Sequence, residues 1–292
     1  MIQIEGLSKK YRGDKWALRN INLTFNEGMI GLLGPNGAGK STLMRIMATL
    51  SSPTTGSGMI DGIPLSRAED IRKMIGYLPQ QFQVYPQITG EEYLDYVAVM
   101  KGMKDSKQRK MEISKLLEQV NLLDKAKNKV KTYSGGMKRR LGIAQALLGS
   151  PPVLIVDEPT AGLDPEERVR FRNLLTRFSI GRVVLLSTHI VADIESNCRQ
   201  AAVLDRGQVL FSGDLRDLQQ YGTGKVWEAT LNDEQFATLD HMSVISTRRQ
   251  DDGMICRVIG TPPSGISVAH VEPTLEDGYL ALLRDQGGVL HA

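Results

Sequence analysis

Two spacings of apolar residues run along this chain. Leu43, Ile46, Met47 and Leu50 recur three and four positions apart, which predicts a helix with one buried face beginning at about Lys40. Ile30-Gly31-Leu32-Leu33 is a short apolar run instead, and Val153-Leu154-Ile155-Val156 is a run of β-type residues with no polar face. Such a run fits a strand covered on both sides, and Arg182 to Ser187 reads as the next one. Strands alternating with helices predict an α/β fold with a parallel core sheet.

Capping residues refine the helices. Thr89-Gly90-Glu91-Glu92 has the form of a capping box and opens a helix running through Met100, with a second helix expected over Met111 to Val120. Ser134 caps a helix carrying Leu141, Ala144 and Leu148, which Pro151-Pro152 ends. Asp164 caps another, with Pro165 at its first position and Glu166 and Glu167 in its first turn. The helical stretch at about 88–150 interrupts the alternation and reads as an inserted subdomain. Past residue 221 the pattern changes: Val226 to Leu231 and Met254 to Ile259 read as strands, Asp252-Gly253 as a hairpin turn, and Thr274 to Leu283 as a short helix. A small α+β appendage over 222–292 is expected behind a main domain over 1–221.

Charge supports that division. Residues 222–292 carry 5 Lys and Arg against 10 Asp and Glu, which leaves 31 and 23 for residues 1–221. Much of the excess positive charge lies in two runs, Lys101 to Lys115 and Lys125 to Arg140, read as solvated helix faces. Acidic residues are interspersed in the first run and Tyr133 is the only aromatic in either, too few for base stacking, so no nucleic-acid partner is expected. No run of 18 apolar residues occurs and the N-terminus lacks the apolar stretch of a secretory signal, so the chain is expected to be cytosolic unless another protein holds it at a membrane. Cys198 and Cys256 read as ordinary buried or half-buried thiols.

The chemistry concentrates at the ends of the predicted strands. Gly34, Pro35, Asn36, Gly37, Ala38, Gly39, Lys40, Ser41 and Thr42 stand between a strand and a helix. A phosphate chain needs backbone N–H groups pointing one way, and the three glycines allow that conformation and close approach. The helix start adds its positive end, Lys40 reaches the β- and γ-phosphates, the Ser41 hydroxyl suits Mg²⁺, and Thr42 can contact the α-phosphate. In VLIVDEP, Asp157 and Glu158 end a buried strand, where ligands of open α/β sheets bind. Asp157 would hold Mg²⁺ there, and Glu158 would orient and polarise the attacking water.

YSGGMKRR places Ser134, Gly135 and Gly136 at a second phosphate-cradling helix start. Two cradles for one nucleotide suggest that the second reads the nucleotide of a partner molecule. With these motifs in order, the chain resembles the ATP-binding subunits of ABC transporters, a P-loop NTPase cassette with a parallel core sheet, N-terminal antiparallel β elements and an inserted helical subdomain. The resemblance covers residues 1–221. It implies ATP and Mg²⁺ as cofactors and head-to-tail closure with a second cassette, identical or paralogous. It also implies that Tyr11 stacks on adenine, Trp16 being the weaker candidate. Gln80 in IGYLPQQ would touch Mg²⁺ and water and sense the membrane partner, Asp164 in AGLDP would belong to the loop crossing the dimer interface, and His189 in LLSTHI would contact the γ-phosphate. Tyr133 and Met137 depart from the commonest signature, while Ser134, Gly135 and Gly136 are kept.

With Lys40, Asp157, Glu158 and His189 all present, the resemblance implies a competent ATPase rather than a regulatory subunit. The stretch from Gln80 to Gly102 and the ending VEPTLEDGYLALL are most similar to the bacterial antibiotic, drug and lipid export group. A transmembrane permease is the implied partner, which places the chain at the cytoplasmic face of the cell membrane. The alternative is a soluble ABC ATPase acting on ribosomes, nucleic acid or another cytosolic assembly; a second cassette, a long coiled coil or a cysteine cluster would mark it.

Overall fold

Alternating strands and helices build the first part of the chain. In order come β1 (Ile2–Lys10), β2 (Trp16–Phe25), β3 (Gly28–Leu33), α1 (Lys40–Met47), β4 (Thr55–Ile60), β5 (Ile63–Pro64), α2 (Ala68–Met74) and β6 (Ile75–Leu78). Three helices follow, α3 (Gly90–Met100), α4 (Ser106–Gln119) and α5 (Gly135–Leu147), and then β7 (Val153–Asp157), α6 (Pro165–Phe178), β8 (Val183–Ser187), α7 (Val191–Glu195), β9 (Gln200–Asp205) and β10 (Gln208–Asp214). The last part holds α8 (Leu215–Gln220), β11 (Val226–Leu231), α9 (Asp233–Thr238), β12 (Val244–Gln250), β13 (Gly253–Ile259), β14 (Val268–His270) and α10 (Leu275–Asp285). The structure, a computed structural model, describes residues 1–160, 163–238, 244–250, 253–261 and 266–285. Ala161 and Gly162 of the expected interface loop, and Asp252 of the expected hairpin turn, lie outside the described residues.

The chain divides into two units, Met1–Val209 and Leu210–Ala292. In the first, the main sheet has the order β9-β3-β8-β7-β6. β3, β6, β7, β8 and β9 pair in parallel, and β7 and β8 are buried along their whole length, as their apolar runs require. An antiparallel sheet, β2-β1-β4-β5, lies across a shared core in which Leu7, Leu18, Phe25, Leu32, Met44 and Ile155 are buried. β1, β4, β6 and β9 carry no strong sequence signal; they are strands because this core accepts their apolar side chains.

Helices begin where short polar residues satisfy their first N–H groups. The Thr89 hydroxyl accepts from Glu92 N while the Glu92 carboxylate accepts from Thr89 N, so the expected capping box forms. Ser134 accepts from Met137 N and Asp164 from Glu167 N, as their positions before α5 and α6 predict. α4 begins earlier than expected because Asp105 caps it, accepting from Lys107 N and Gln108 N. The packing of α5 on β6 is close: a Cβ on Gly76 would stand 2.0 Å from the Ala146 carbonyl oxygen. Only glycine permits that approach.

The second unit carries a four-stranded antiparallel sheet, β12-β13-β11-β14. Its core is small, with Ala229, Leu231, Cys256 and Val258 buried together. In the first turn of α10 the Asp277 carboxylate, fully buried, accepts from the Arg257 guanidinium at 2.7 Å and from Thr274 N at 2.6 Å. Burial alone would raise its pKa; Arg257 and Thr274 outweigh that and hold the carboxyl below the usual range. Cys198 and Cys256 are both buried free thiols, and burial pushes Cys198 up to about 12.

Candidate functional site

Parallel register brings the chemistry to one edge. Leu78 pairs with Val156, Asp157 with Ser187, and Ser187 with Leu32, so β6, β7, β8 and β3 end level with one another. The segments that leave those ends therefore emerge side by side. They are the segment starting Pro79-Gln80, Asp157-Glu158, Thr188-His189 and the loop from Gly34.

The loop is shaped by packing on one side and left open on the other. Gly34 has φ 151°, and a Cβ there would meet the Leu204 carbonyl oxygen at 2.2 Å. Gly37, at φ 82°, faces open space, where a phosphate could approach the backbone. Gly39, the residue before α1, has no side chain to cap it, so the helix's first N–H groups stay available to an anion. Lys40 Nζ is buried against the loop and donates to the Gly34 carbonyl at 2.5 Å and the Pro35 carbonyl at 3.1 Å. Burial lowers its pKa, and the Glu158 and Asp157 carboxylates act in the opposite direction.

Asp157 is 2% exposed, and among the described residues neither its Oδ1 nor the buried Ser187 hydroxyl has a hydrogen-bond partner. Burial raises the Asp157 pKa and Glu158 adds to that, while Ser41, Ser187 and Lys40 lie close enough to oppose it. An unpartnered buried carboxylate oxygen near hydroxyls is the kind of donor set a hard divalent cation takes up. Ser41, Gln80 and Asp157 also line one cleft of about 700 Å³ with Tyr77, Phe82 and Tyr93. The residues fit Mg²⁺.

Two residues from separate strand ends meet on the carboxylate of a third. Gln80 Nε2 donates to Glu158 Oε2 at 3.2 Å, and His189 Nδ1 lies 3.1 Å from Glu158 Oε1. Glu158 has φ 47°, a left-handed conformation that non-glycine residues seldom adopt, and its N–H bonds the Ser187 carbonyl at 3.0 Å. Strain at this residue matches its place at the centre of the cluster.

The remaining expected residues stand apart from that cluster. Ser134 and Gly135 are exposed at the start of α5, and an added Cβ on Gly135 or Gly136 would meet nothing. They do not line the Ser41–Asp157 cleft. Asp164 is exposed and occupied as the cap of α6. Tyr11 is 47% exposed beside Lys9, whose Nζ lies 5.3 Å from the ring centroid. Trp16 pairs in the same way with Lys10, at 5.5 Å.

Two residues escaped the sequence reading. Asp193 Oδ2 accepts from Thr160 Oγ1 at 2.9 Å and from Thr188 Oγ1 at 3.5 Å, which ties the segment after Glu158 to the one bearing His189. Arg139 is only 7% exposed, so the expectation that Lys125 to Arg140 is a solvated face fails there. Its signal was its period: Arg139, Gly142, Ile143 and Ala146 share the buried stripe of α5.

Residues 18–161 match the family described as ABC transporter. An uncharacterized ABC transporter ATP-binding protein of Bacillus subtilis (strain 168) is 36% identical over 247 residues, covering 84% of this chain and 82% of that protein. The Nod factor export ATP-binding protein I of Burkholderia orbicola is 33% identical over 297 residues and is matched along 96% of each chain. Among solved structures, a dimeric post-hydrolysis state of an ATP-binding cassette bound to ADP and Pi superposes with TM-score 0.69 at 29% identity, over 74% of this chain and 99% of that one.

Proposed function

The chain belongs to the ABC transporter family as an ATP-binding subunit with ATPase activity, and from that premise we propose that Glu158, Gln80 and His189 carry the hydrolysis and that a separate transmembrane export subunit uses it. The observation behind the catalytic assignment is the meeting of Gln80 and His189 on the Glu158 carboxylate, at the sheet edge that also presents Lys40. Glu158 takes a proton from the attacking water as the water oxygen bonds the γ-phosphorus and the bond to the ADP oxygen breaks. Gln80 and His189 hold both carboxylate oxygens in place for that transfer. Lys40 exchanges the Gly34 and Pro35 carbonyls for phosphate oxygens, and the free N–H groups of the loop and α1 complete the cradle. Ser41, Asp157 and Gln80 would hold Mg²⁺, which neutralises phosphate charge when bound.

The exposed Ser134 and Gly135 and the half-buried Gly136 are assigned to the nucleotide of a second cassette closing head to tail, a reading supported by the dimeric form of the similar solved structure. Tyr11 is assigned to the adenine and Asp164 to the interface between cassettes. Residues 1–221 are taken as the ATPase and 222–292 as an accessory part. Export is supported by the relative named for Nod factor export. A membrane partner is supported by apolar side chains left in the open around the helical insert, with Tyr85 76%, Met100 69% and Met111 61% exposed. Among the described residues no helix is long and apolar enough to cross a membrane. The proposed location is the cytoplasmic face of the membrane.

Purification of the chain at native level from detergent-solubilised membranes tests the partner. Recovery of a stoichiometric multi-span membrane protein is the expected result. Recovery only in the soluble fraction, with ribosomes, nucleic acid or nothing, would overturn the transporter assignment and leave the ATPase standing.

A further inference from the structure

The carbonyl of Asp157, the last residue of β7, and those of the residues just past β6 and β7 lie where strand pairing runs out. Buried carbonyls without donors are costly, so something must serve them. Arg139 does. Its Nε donates to Pro159 O at 3.3 Å, one terminal nitrogen to Pro79 O at 2.7 Å and Gln80 O at 2.9 Å, and the other to Asp157 O and Glu158 O, both at 2.6 Å. A guanidinium has five N–H donors in a rigid fork, and here each meets one carbonyl. The same side chain thus grips the backbone of Gln80 and of Glu158, whose side chains meet at 3.2 Å.

Resting on the proposed role of Glu158, we infer that Arg139 is a positioning residue for ATP hydrolysis: it holds the Gln80 and Glu158 backbones at one spacing and so aims the amide and the carboxylate at the same water. The fork opposes relaxation of Glu158 from its left-handed conformation, because turning that peptide would break the bonds to Asp157 O and Glu158 O together. Lysine cannot replace this, since three donors on a flexible stem cannot serve five acceptors. Burial lowers the Arg139 pKa, while Asp157, Glu158 and Tyr77 favour the charged form. Close packing of α5 at Gly76 delivers the side chain to this place.

The test is steady-state turnover and ATP binding by the full-length chain in Mg-ATP, for Arg139→Met, Arg139→Lys, Glu158→Gln and the double variant Arg139→Met with Glu158→Gln. The expected result for Arg139→Met is a kcat lowered roughly 10- to 100-fold with KM and ATP affinity within about threefold, and partial recovery in Arg139→Lys. In the Glu158→Gln background the same change should lower the residual turnover by less than about threefold, because the group it positions is already gone. A kcat for Arg139→Met within twofold of wild type overturns the inference, and so does an undiminished effect in the Glu158→Gln background. If Arg139→Met does not fold, Arg139→Lys decides: lowered kcat at unchanged KM and unfolding midpoint supports the role, and wild-type kcat removes it. Glu158→Gln alone separates the two readings. Near-normal turnover there overturns the Glu158 assignment itself, whereas slow turnover there with normal Arg139→Met overturns only the positioning.

Discussion

Glu158 holds a left-handed backbone, at a cost on the order of 1–3 kcal/mol, and spends its carboxylate on Gln80 and His189. Replacing it with glutamine keeps the shape and removes the proposed proton acceptor. Turnover should fall by roughly 10² to 10⁴ while ATP binding persists, measured by phosphate release and by nucleotide titration. Lys40→Ala removes the cation assigned to the phosphate cradle, so a titration should show weakened ATP affinity; unchanged affinity would remove Lys40 from the cradle. Both residues were legible in the sequence because each stands in a short motif whose spacing is set by local chain geometry. Arg139 was not, since its five acceptors come from two segments far away in sequence.

Helix ends carry local rules, and the sequence displayed them. Asp164 stands before Pro165 and accepts from Glu167 N, so Asp164→Ala should destabilise α6 by about 1 kcal/mol, and Asp164→Ser should restore most of it. Chemical unfolding of the three proteins reads that difference; equal midpoints would mean the cap contributes nothing. The same logic made the Thr89 capping box and the Ser134 cap visible in advance. Strand existence was legible where burial on both faces left an unbroken apolar run, as in β7 and β8. β12 was missed: Val244–Gln250 is mostly polar and exposed, and its pairing with β13 makes it a strand.

At the scale of the whole molecule, the second unit contains a buried ion pair, Asp277 with Arg257. Asp277 is held below its ordinary pKa, so its contribution to stability is present above the unfolded value of about 4 and is lost as pH falls through the folded value. Thermal unfolding of this unit should lose stability in acid. Asp277→Asn should unfold earlier at neutral pH, by about 3 kcal/mol, and show a flatter dependence below pH 4. A variant melting like wild type at pH 7 would show that the pair contributes nothing there. The sequence by itself determined the glycine loop, the Asp157-Glu158 pair, the helix caps and the alternation behind the parallel sheet, because each is set by interactions within a few residues. Tertiary structure alone decided that Gln80, Glu158 and His189 share one carboxylate and that Arg139 ties two strand ends together. Those contacts depend on the level ends of parallel strands, a register set by packing across the sheet.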